Sequence, residues 1–509
     1  MSGSDTIAAV STAPGEGGIG IVRISGDRAA EILGRIFLAP ARERPGGWGF
    51  SDRKMYYGHI VDPSSSETVD EVLAVYMKGP RSYTGEDVCE IQCHGGGIPL
   101  RRILDIVCGL GASPAQPGEF TKRAFLNGRL DLAQAGAVID LIKSKTARGY
   151  HAAKEQAEGR LSERVGAARG LLLDALAGIA VRIDYPEAFE DEFDIAVKPE
   201  GTFAAGSDIV VKPKEAGADG SGIVVSREEA CADGPDIVVK LKKAGEMLAE
   251  LLGGADAGRI VRDGVRVAIV GKPNTGKSSL FNALSREDAA IVTAVPGTTR
   301  DALEIWLDIR GVPVLLTDTA GIREGAGEIE SLGIERAMEQ YAKSDAAVLI
   351  LDGSGALSDE DRAVAGRLDP GKPLIVAINK GDLPQAFGRE EAAGLLPFPC
   401  GAERIVHISL VGDGLRSSVE KVEGLLEKTV LGSACAGSSL LVTKARHKAL
   451  LEAAAAEIAE AMAALGRAAA PEFAEVNIRA AWNALGEITG ETAADDVIDR
   501  VFEDFCVGK

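Results

Sequence analysis

No C-x-x-C pair, no long apolar run and no excess of positive charge occur in these 509 residues. Each absence removes a class of function. The seven cysteines (89, 93, 108, 231, 400, 435 and 506) are odd in number and scattered, which argues against a disulfide framework and a structural zinc site. They read as reduced thiols. No window approaches the roughly eighteen uninterrupted apolar residues of a membrane span. The opening "MSGSDTIAAVSTAPGEGG" lacks the basic-then-apolar order of a signal peptide. A soluble, cytoplasmic chain with no membrane partner is expected. The formal charge of −20 argues against nucleic-acid binding through the overall field, so an RNA partner needs a local basic surface or a second, basic protein. Cys89, Cys93 and His94 in "DVCEIQCHGG" lie in a strand-like alternation without a second ligand cluster, so core cysteines are expected there rather than a metal site.

With 46% apolar residues, the chain should divide into roughly three or four domains. Residues 1–120 carry short apolar runs ("GIGIVRISG", "EVLAVYMKG", "EDVCEIQC") between turn formers, the pattern of a small α+β domain. From residue 121 the apolar positions take helical spacing for some sixty residues, which predicts long helices, and helical segments continue to residue 264. Between residues 265 and 430 the runs "VRVAIV", "VPVLLTD", "AAVLILD", "PLIVAIN" and "RIVHIS" alternate with helical segments, as in a doubly wound α/β domain. Residues 431–509 return to Ala-rich helix, ending in "AADDVIDRVFEDFCVGK". The fold class expected is therefore multidomain: α+β, then a discontinuous all-α domain with an α/β domain inserted into it.

One stretch follows its own rule. "DIAVKP", "DIVVKP", "GIVVSR" and "DIVVKL" start at 194, 208, 222 and 236, a fourteen-residue repeat. Residues 187–236 hold thirteen acids against four bases, nearly half of the whole chain's excess. Its short apolar cores bury little, so an acidic loop insertion over about 190–240 is expected in preference to a functional module.

"VRVAIVGKPNTGKSSLFNALS" holds G-x-x-x-x-G-K-S as Gly271, Gly276, Lys277 and Ser278, after a strand and opening a helix. Glycines let backbone N–H groups fold around phosphates, Lys277 sets a charge near the β- and γ-phosphates, and Ser278 can ligate Mg²⁺. Three companions follow in the order a GTPase requires: "VPGTTRD" with Thr298 and Thr299, "LLTDTAG" with Asp318, Thr319, Ala320 and Gly321, and "VAINKGD" with Asn379, Lys380 and Asp382. Thr299 can close over Mg²⁺, Asp318 can hold its water shell, and the Gly321 N–H can sense the γ-phosphate. The Asp382 carboxylate can accept from guanine N1–H and N2–H₂, a pair adenine lacks. Guanine-nucleotide binding follows. A Ras-like enzyme orients its water with a glutamine just after the D-x-x-G glycine, where this chain has Ile322. From position alone Glu330 reads equally as a substitute acting through a water or as a solvated charge at a helix start.

At these residues the chain resembles the bacterial tRNA-modification GTPases of the MnmE/TrmE type. The resemblance rests on "DTIAAVSTAPGEGGIGIVRISG", "SYTGEDVCEIQCHGG", "PGEFTKRAFLNGRLDLAQA", "GKPNTGKSSLFNAL", "PGTTRDALE", "DTAGIRE" and "FCVGK". It implies an N-terminal tetrahydrofolate-binding and dimerisation domain, a helical domain in two segments and a Ras-like P-loop GTPase domain between them. It implies a homodimer acting with a FAD-binding partner of the MnmG/GidA type, in a heterotetramer or larger. The product it implies is an aminomethyl or carboxymethylaminomethyl group at carbon 5 of the wobble uridine of certain tRNAs. The one-carbon donor is a 5-formyl- or methylene-tetrahydrofolate, and the positions implied for it are Arg23, Glu90, Arg129 and Lys509.

The resemblance further implies a K⁺ ion held by Asn274 and main-chain carbonyls near Thr293, Val295 and Thr298, and it makes Glu330 the water-orienting acid. The GTP site it outlines adds Thr275, Ser279, Ala294, Pro296, Gly297 and Ser409 to the motif residues. Leu410 stands where an alanine is usual, with modest weakening of guanine binding expected. Cys506 reads either as a nucleophile toward the uridine ring or as a small apolar residue packing the tail. The competing readings are a regulatory GTPase of ribosome assembly without folate chemistry, and a folate-dependent transferase with a vestigial GTPase.

Overall fold

The computed structural model describes residues 5–40, 49–184, 237–286, 290–291, 303–318, 338–431, 441–466, 471–503 and 505–508. The first three copies of the repeat and most of residues 287–302 and 319–337 lie outside that set. The chain forms two compact units, one of residues 1–139, 156–166 and 483–509, the other of residues 140–155 and 167–482.

The first unit is built on a seven-stranded sheet. Its strands are β1 (Ile7–Val10), β2 (Gly17–Ser25), β3 (Phe37–Leu38), β4 (Met55–Val61), β5 (Thr68–Met77), β6 (Val88–Gly95) and β7 (Ser113–Pro114). They lie in the order β3-β4-β5-β6-β2-β1-β7. All neighbours are antiparallel except β1 and β7. Period-two alternation decides its faces. Val22, Ile24, Val72, Ala74, Cys89, Ile91 and Cys93 share one core with α1 (Ala29–Ile36) and α2 (Gly97–Gly109). Cys89 and Cys93 are core residues, as expected, and burial raises both thiols, that of Cys93 to about 11. His94 falls on the other parity and pairs with Asp70, Nδ1 to Oδ1 2.7 Å.

The expected long helices after residue 120 are four shorter pieces: α3 (Glu119–Leu126), α4 (Leu132–Lys143), α5 (Ala147–Ala157) and α6 (Arg160–Asp184). Only α6, at 25 residues, is long. Apolar spacing ran on across the breaks, but Asn127–Gly128 and Gly159 interrupt it; Gly128 and Gly159 take φ of 71° and 91°, which ends a helix. A second difference concerns the repeat. Its fourth copy opens α7 (Ile237–Gly253), where Ile237 and Leu241 are buried at helical spacing, so a string strand-like by composition is a helix once one face has something to pack against.

α8 (Ala255–Asp263) leads into the second sheet: β8 (Val265–Val270), β9 (Ala290–Ile291), β10 (Leu303–Ile309), β11 (Val312–Asp318), β12 (Ala346–Asp352), β13 (Leu374–Asn379) and β14 (Ile405–His407). Helices α9 (Lys277–Arg286), α10 (Asp359–Ala365), α11 (Arg389–Gly394) and α12 (Gly414–Leu431) intersperse these strands. The order is β14-β13-β12-β8-β11-β10-β9. From β14 to β11 the pairing is parallel, and β10 runs antiparallel on β11. Every residue of β13 is buried, the run expected of a strand covered on both faces. Two apolar clusters hold alternate residues of β8, β12 and β13. The five strands read from sequence are all present; the antiparallel β10 was not among them.

α13 (Ala445–Gly466) packs along α7, and α14 (Pro471–Thr489) and α15 (Asp495–Glu503) follow. In the first unit α15 presents Ile498 and Phe502, four apart, to Leu132, Ala135 and Ile139, with Phe505 completing the cluster. In the second unit His447 of α13 is 1% exposed. Its Nε2 lies 3.3 Å from the Arg446 guanidinium, which only donates, so Nε2 is the acceptor and the ring is neutral. Burial, with Arg446, Lys444 and Arg262 adding, holds its pKa well below the usual value. Asp140 answers that charge through Arg262, Nε to Oδ1 2.9 Å.

The unfolded chain takes up a proton at His447 below its ordinary pKa of 6.5, whereas the folded chain does not. Stability is therefore full above that pH and falls below it, by at most about 1.4 kcal/mol per pH unit. Urea denaturation at about pH 7.5 and 5.5 should show His447→Met losing less stability on acidification than the parent; equal losses would contradict this.

Candidate functional site

The phosphate loop connects the end of β8 to α9 and follows from backbone geometry. Gly276 has φ of 104°, and a Cβ there would lie 2.2 Å from Asn379 Nδ2. Only glycine meets both conditions. That amide donates to the Thr275 carbonyl at 2.8 Å, so the end of β13 is fastened to the loop. Asn274 takes φ of 63° and is exposed, a conformation asparagine tolerates. Lys277 is 9% exposed, and its ammonium donates to the carbonyls of Gly271 at 2.9 Å and Lys272 at 2.7 Å. Ser278 and Ser279 stand exposed in the first turn of α9, where unpaired N–H groups favour an anion.

The base side is assembled from β12, β13 and the segment after β14. Lys380, with φ of 62°, pairs with Asp352, Nζ to Oδ2 2.5 Å. Burial opposes ionisation of Asp352, but Lys380 and Ser354 hold its carboxyl below the usual range. The exposed Asp382 accepts from Ser409 Oγ at 2.9 Å, and the Ser409 N–H donates to Ser418 Oγ at 2.9 Å. Asn379 is 4% exposed, and its Oδ1 is buried with no donor among the described residues. A buried acceptor beside an oriented carboxylate is what a ligand rich in N–H groups fits. Leu410 packs against the sheet core, with Cδ1 3.6 Å from where a Gly276 Cβ would stand.

β11 brings Asp318 into register with Ile269 of β8, two residues before the loop. Thr293, Ala294, Val295, Pro296, Gly297, Thr298, Thr299, Thr319, Ala320, Gly321 and Glu330 lie outside the described residues, as does the Asp318 side chain. Sequence reasoning missed Lys272, whose ammonium donates to Asp361 Oδ2 at 2.7 Å and Ser358 Oγ at 3.2 Å. This ties the loop to the capping box of α10, a box readable in "SDED" although its partner was not.

A second constellation lies in the first unit. Arg23 of β2 and Glu90 of β6 are cross-strand partners on the face away from the core, joined by Nε to Oε1 at 2.9 Å and NH2 to Oε1 at 2.8 Å. Arg23 NH1 also donates to the Gly508 carbonyl at 3.3 Å, and Ser11 Oγ to the same oxygen at 3.1 Å. The Tyr83 ring centroid lies 5.4 Å from the Arg23 guanidinium and 5.0 Å from that of Arg129. Arg129 donates to the Tyr83 carbonyl at 2.6 Å. Arg23 and Arg129 thus meet at Tyr83, which sequence reasoning passed over inside "SYTGED", while Glu90 and the tail join the group through Arg23. Lys509 lies outside the described residues. Cys506 is exposed; the residue that packs the tail is Phe505, at 5% exposure.

The family model for the N-terminus of the GTP-binding protein TrmE matches residues 6–129, and that for the MnmE helical domain matches residues 132–506. The chain is 43% identical over 506 residues to the tRNA modification GTPase MnmE of Alkaliphilus oremlandii (strain OhILAs), with 99% of each chain covered. Identity is 43% over 507 residues to that of Alkaliphilus metalliredigens (strain QYMF) and 40% over 506 to that of Geobacter sulfurreducens (strain ATCC 51573 / DSM 12127 / PCA), again with 99% of each chain covered.

Gly276→Ala should displace the Asn379 amide and strain the loop by about 1–3 kcal/mol, lowering affinity for a fluorescent GTP analogue by roughly ten- to a hundred-fold. Equal affinities would show that the loop tolerates a side chain and that this contact does not shape the site.

Proposed function

The chain belongs to the MnmE family of tRNA modification GTPases, and we propose that it spends GTP on a one-carbon modification at carbon 5 of the wobble uridine. It hydrolyses GTP. In the finer reading a homodimer joined through residues 1–120 works with a FAD-binding partner of the MnmG/GidA type and a tetrahydrofolate donor, on certain tRNAs. The observation that carries it is the Arg23–Glu90 pair, with Arg23 and Arg129 both at the Tyr83 ring and Arg23 bonded to the Gly508 carbonyl of the tail.

Those residues suit a pterin with an acidic tail. Glu90 offers an acceptor for the donor edge of the ring, Arg23 and Arg129 offer cations to carboxylates, and Tyr83 offers an aromatic surface. The folate would supply the one-carbon unit. Arg23 and Glu90 hold each other until a ligand competes for them, so neither charge is left unpaired. Cys506, exposed two residues before Gly508, is our candidate nucleophile toward the uridine ring. The outer face of the same sheet carries exposed Ile19, Met55, Tyr57 and Leu73, with Tyr57 and Leu73 directly paired across strands. An apolar face of this kind favours the dimer reading.

In the GTPase part, which we take as residues 265–430 set between helical segments 121–264 and 431–509, Lys277 and the α9 N-terminus meet the phosphates. Ser278 and Thr299 hold Mg²⁺, and Asn274 with carbonyls near Thr293, Val295 and Thr298 holds K⁺. Glu330 orients the water that Ile322 cannot. Asn379, Lys380, Asp382 and Ser409 form the guanine pocket. The assignments of Asn274, Lys277, Ser278, Asn379, Lys380, Asp382 and Ser409 rest on the family pattern and on the loop and pocket geometry above, and those of Thr293, Val295, Thr298, Thr299 and Glu330 on the family pattern alone. A regulatory GTPase of ribosome assembly without folate chemistry would leave the Arg23–Glu90–Arg129 group without a use.

Calorimetric titration of the full chain with 5-formyltetrahydrofolate tests this directly. Binding should weaken about ten-fold or more in Arg23→Ala and in Glu90→Ala, the size of a lost charge-assisted hydrogen bond. Unchanged affinity in both would remove the folate reading.

A further inference from the structure

Among the described residues, the β10–β11 hairpin is held at its turn from two sides. On one side, Arg310 NH1 donates to Glu427 Oε2 of α12 at 2.7 Å. On the other stands the short α4–α5 connection, residues 144–146. Thr146, 4% exposed, donates from Oγ1 to the Gly311 carbonyl at 2.9 Å, while the Gly149 N–H donates to the same hydroxyl at 3.1 Å. The Lys145 ammonium sits 3.0 Å from the centroid of the Trp306 ring in β10. Gly311, at φ of 86°, lies so close that a Cβ would stand 3.0 Å from Arg148 Cβ.

A buried hydroxyl that both accepts and donates, beside a half-buried cation on an indole face, fixes direction as well as distance. Burial lowers the Lys145 pKa, Asp263 opposes that and Arg266 adds to it. A hydrophobic contact would let the hairpin slide along the helices; these contacts do not.

The consequence lies at the far end of the strand. β11 leaves this turn and runs about 20 Å at 3.3 Å per residue before Asp318, which pairs with Ile269 of β8 just ahead of the phosphate loop. We propose that Lys145 and Thr146 are positioning residues for GTP hydrolysis: by anchoring the hairpin turn they set where the end of β11, at the Asp318 backbone, stands beside the phosphate loop. Two residues of the α4–α5 connection, far from the phosphate loop in sequence, thereby govern turnover. The proposal rests on GTP lying at the 271–278 loop, and GDP affinity tests that separately.

The experiment uses the full chain with Trp48→Phe and Trp482→Phe, which leaves Trp306 as the one indole of the three. Three quantities are read: kcat and KM for GTP, affinity for GDP, and Trp306 emission with GDP before and after aluminium fluoride is added. Lys145→Ala and Thr146→Val should each lower kcat about three- to ten-fold, with KM and GDP affinity within about two-fold, and should shrink the emission change. Lys145→Arg, which keeps a cation over the ring, should restore both turnover and emission. Wild-type kcat in both variants would overturn the proposal. So would a parallel fall of kcat and GDP affinity that Lys145→Arg does not rescue, since that marks a loss of structure alone. A chain that had never held nucleotide at this loop would show GDP affinity insensitive to Gly276→Ala.

Discussion

One amide connects the two halves of the nucleotide site. Asn379 ends β13, donates to the Thr275 carbonyl and occupies the space a Cβ on residue 276 would take. The strand that leads to Lys380 and Asp382 therefore cannot shift without moving the loop that carries Lys277. Burial strengthens this coupling, because a displaced amide would leave donor and carbonyl unpaired in a dry place. Lys272 adds a second fastening, to Asp361 and Ser358 at the start of α10. The proposed phosphate loop and guanine pocket are thus one mechanical object set at the ends of a parallel sheet, where open α/β folds gather their ligands.

The first unit solves a different problem with the same economy. Alternation sends Val22, Ile24, Cys89 and Ile91 into the core and leaves Arg23 and Glu90 between them on the other face. A cation and an acid so placed neutralise each other at little desolvation cost, since both retain some access to water. Gly508 then brings a backbone carbonyl to the same guanidinium. The last described residues are held by a site they help to build, and Phe505 buried beside Phe502 keeps them there.

Much of this was legible in the chain, and the exceptions are instructive. The phosphate-loop string, "NKGD" and the five buried strand runs have local causes: glycine where φ is positive, continuous apolar residues where both faces are covered. "LEIWLDI" was overlooked because Glu304 and Asp308 interrupt the buried-strand pattern, and only pairing with β11 makes it a strand. Two of the three breaks between these four helices, at 127–128 and 159, were written in their glycines but masked by apolar spacing that carried on across them. The fourth copy of the repeat shows the limit of composition, since Ile237 becomes helical through the packing of one face of its helix. Contacts such as Thr146 to Gly311, 165 positions apart, have no local sign at all. Tyr83 carried none either, being one aromatic among turn formers until Arg23 and Arg129 closed on it.

Taken together, the two units set a GTPase and a small polar site on one chain, and the central claim is that both serve a single tRNA modification. Nucleoside analysis of tRNA from cells whose only copy is this chain tests it most directly, with GTP turnover of each purified variant measured alongside. The account predicts that carbon-5 aminomethyl-type modification of the wobble uridine is present with the intact chain and lost in both Gly276→Ala and Arg23→Ala. Modification that persists in either variant, at a level equal to the intact chain, would contradict it.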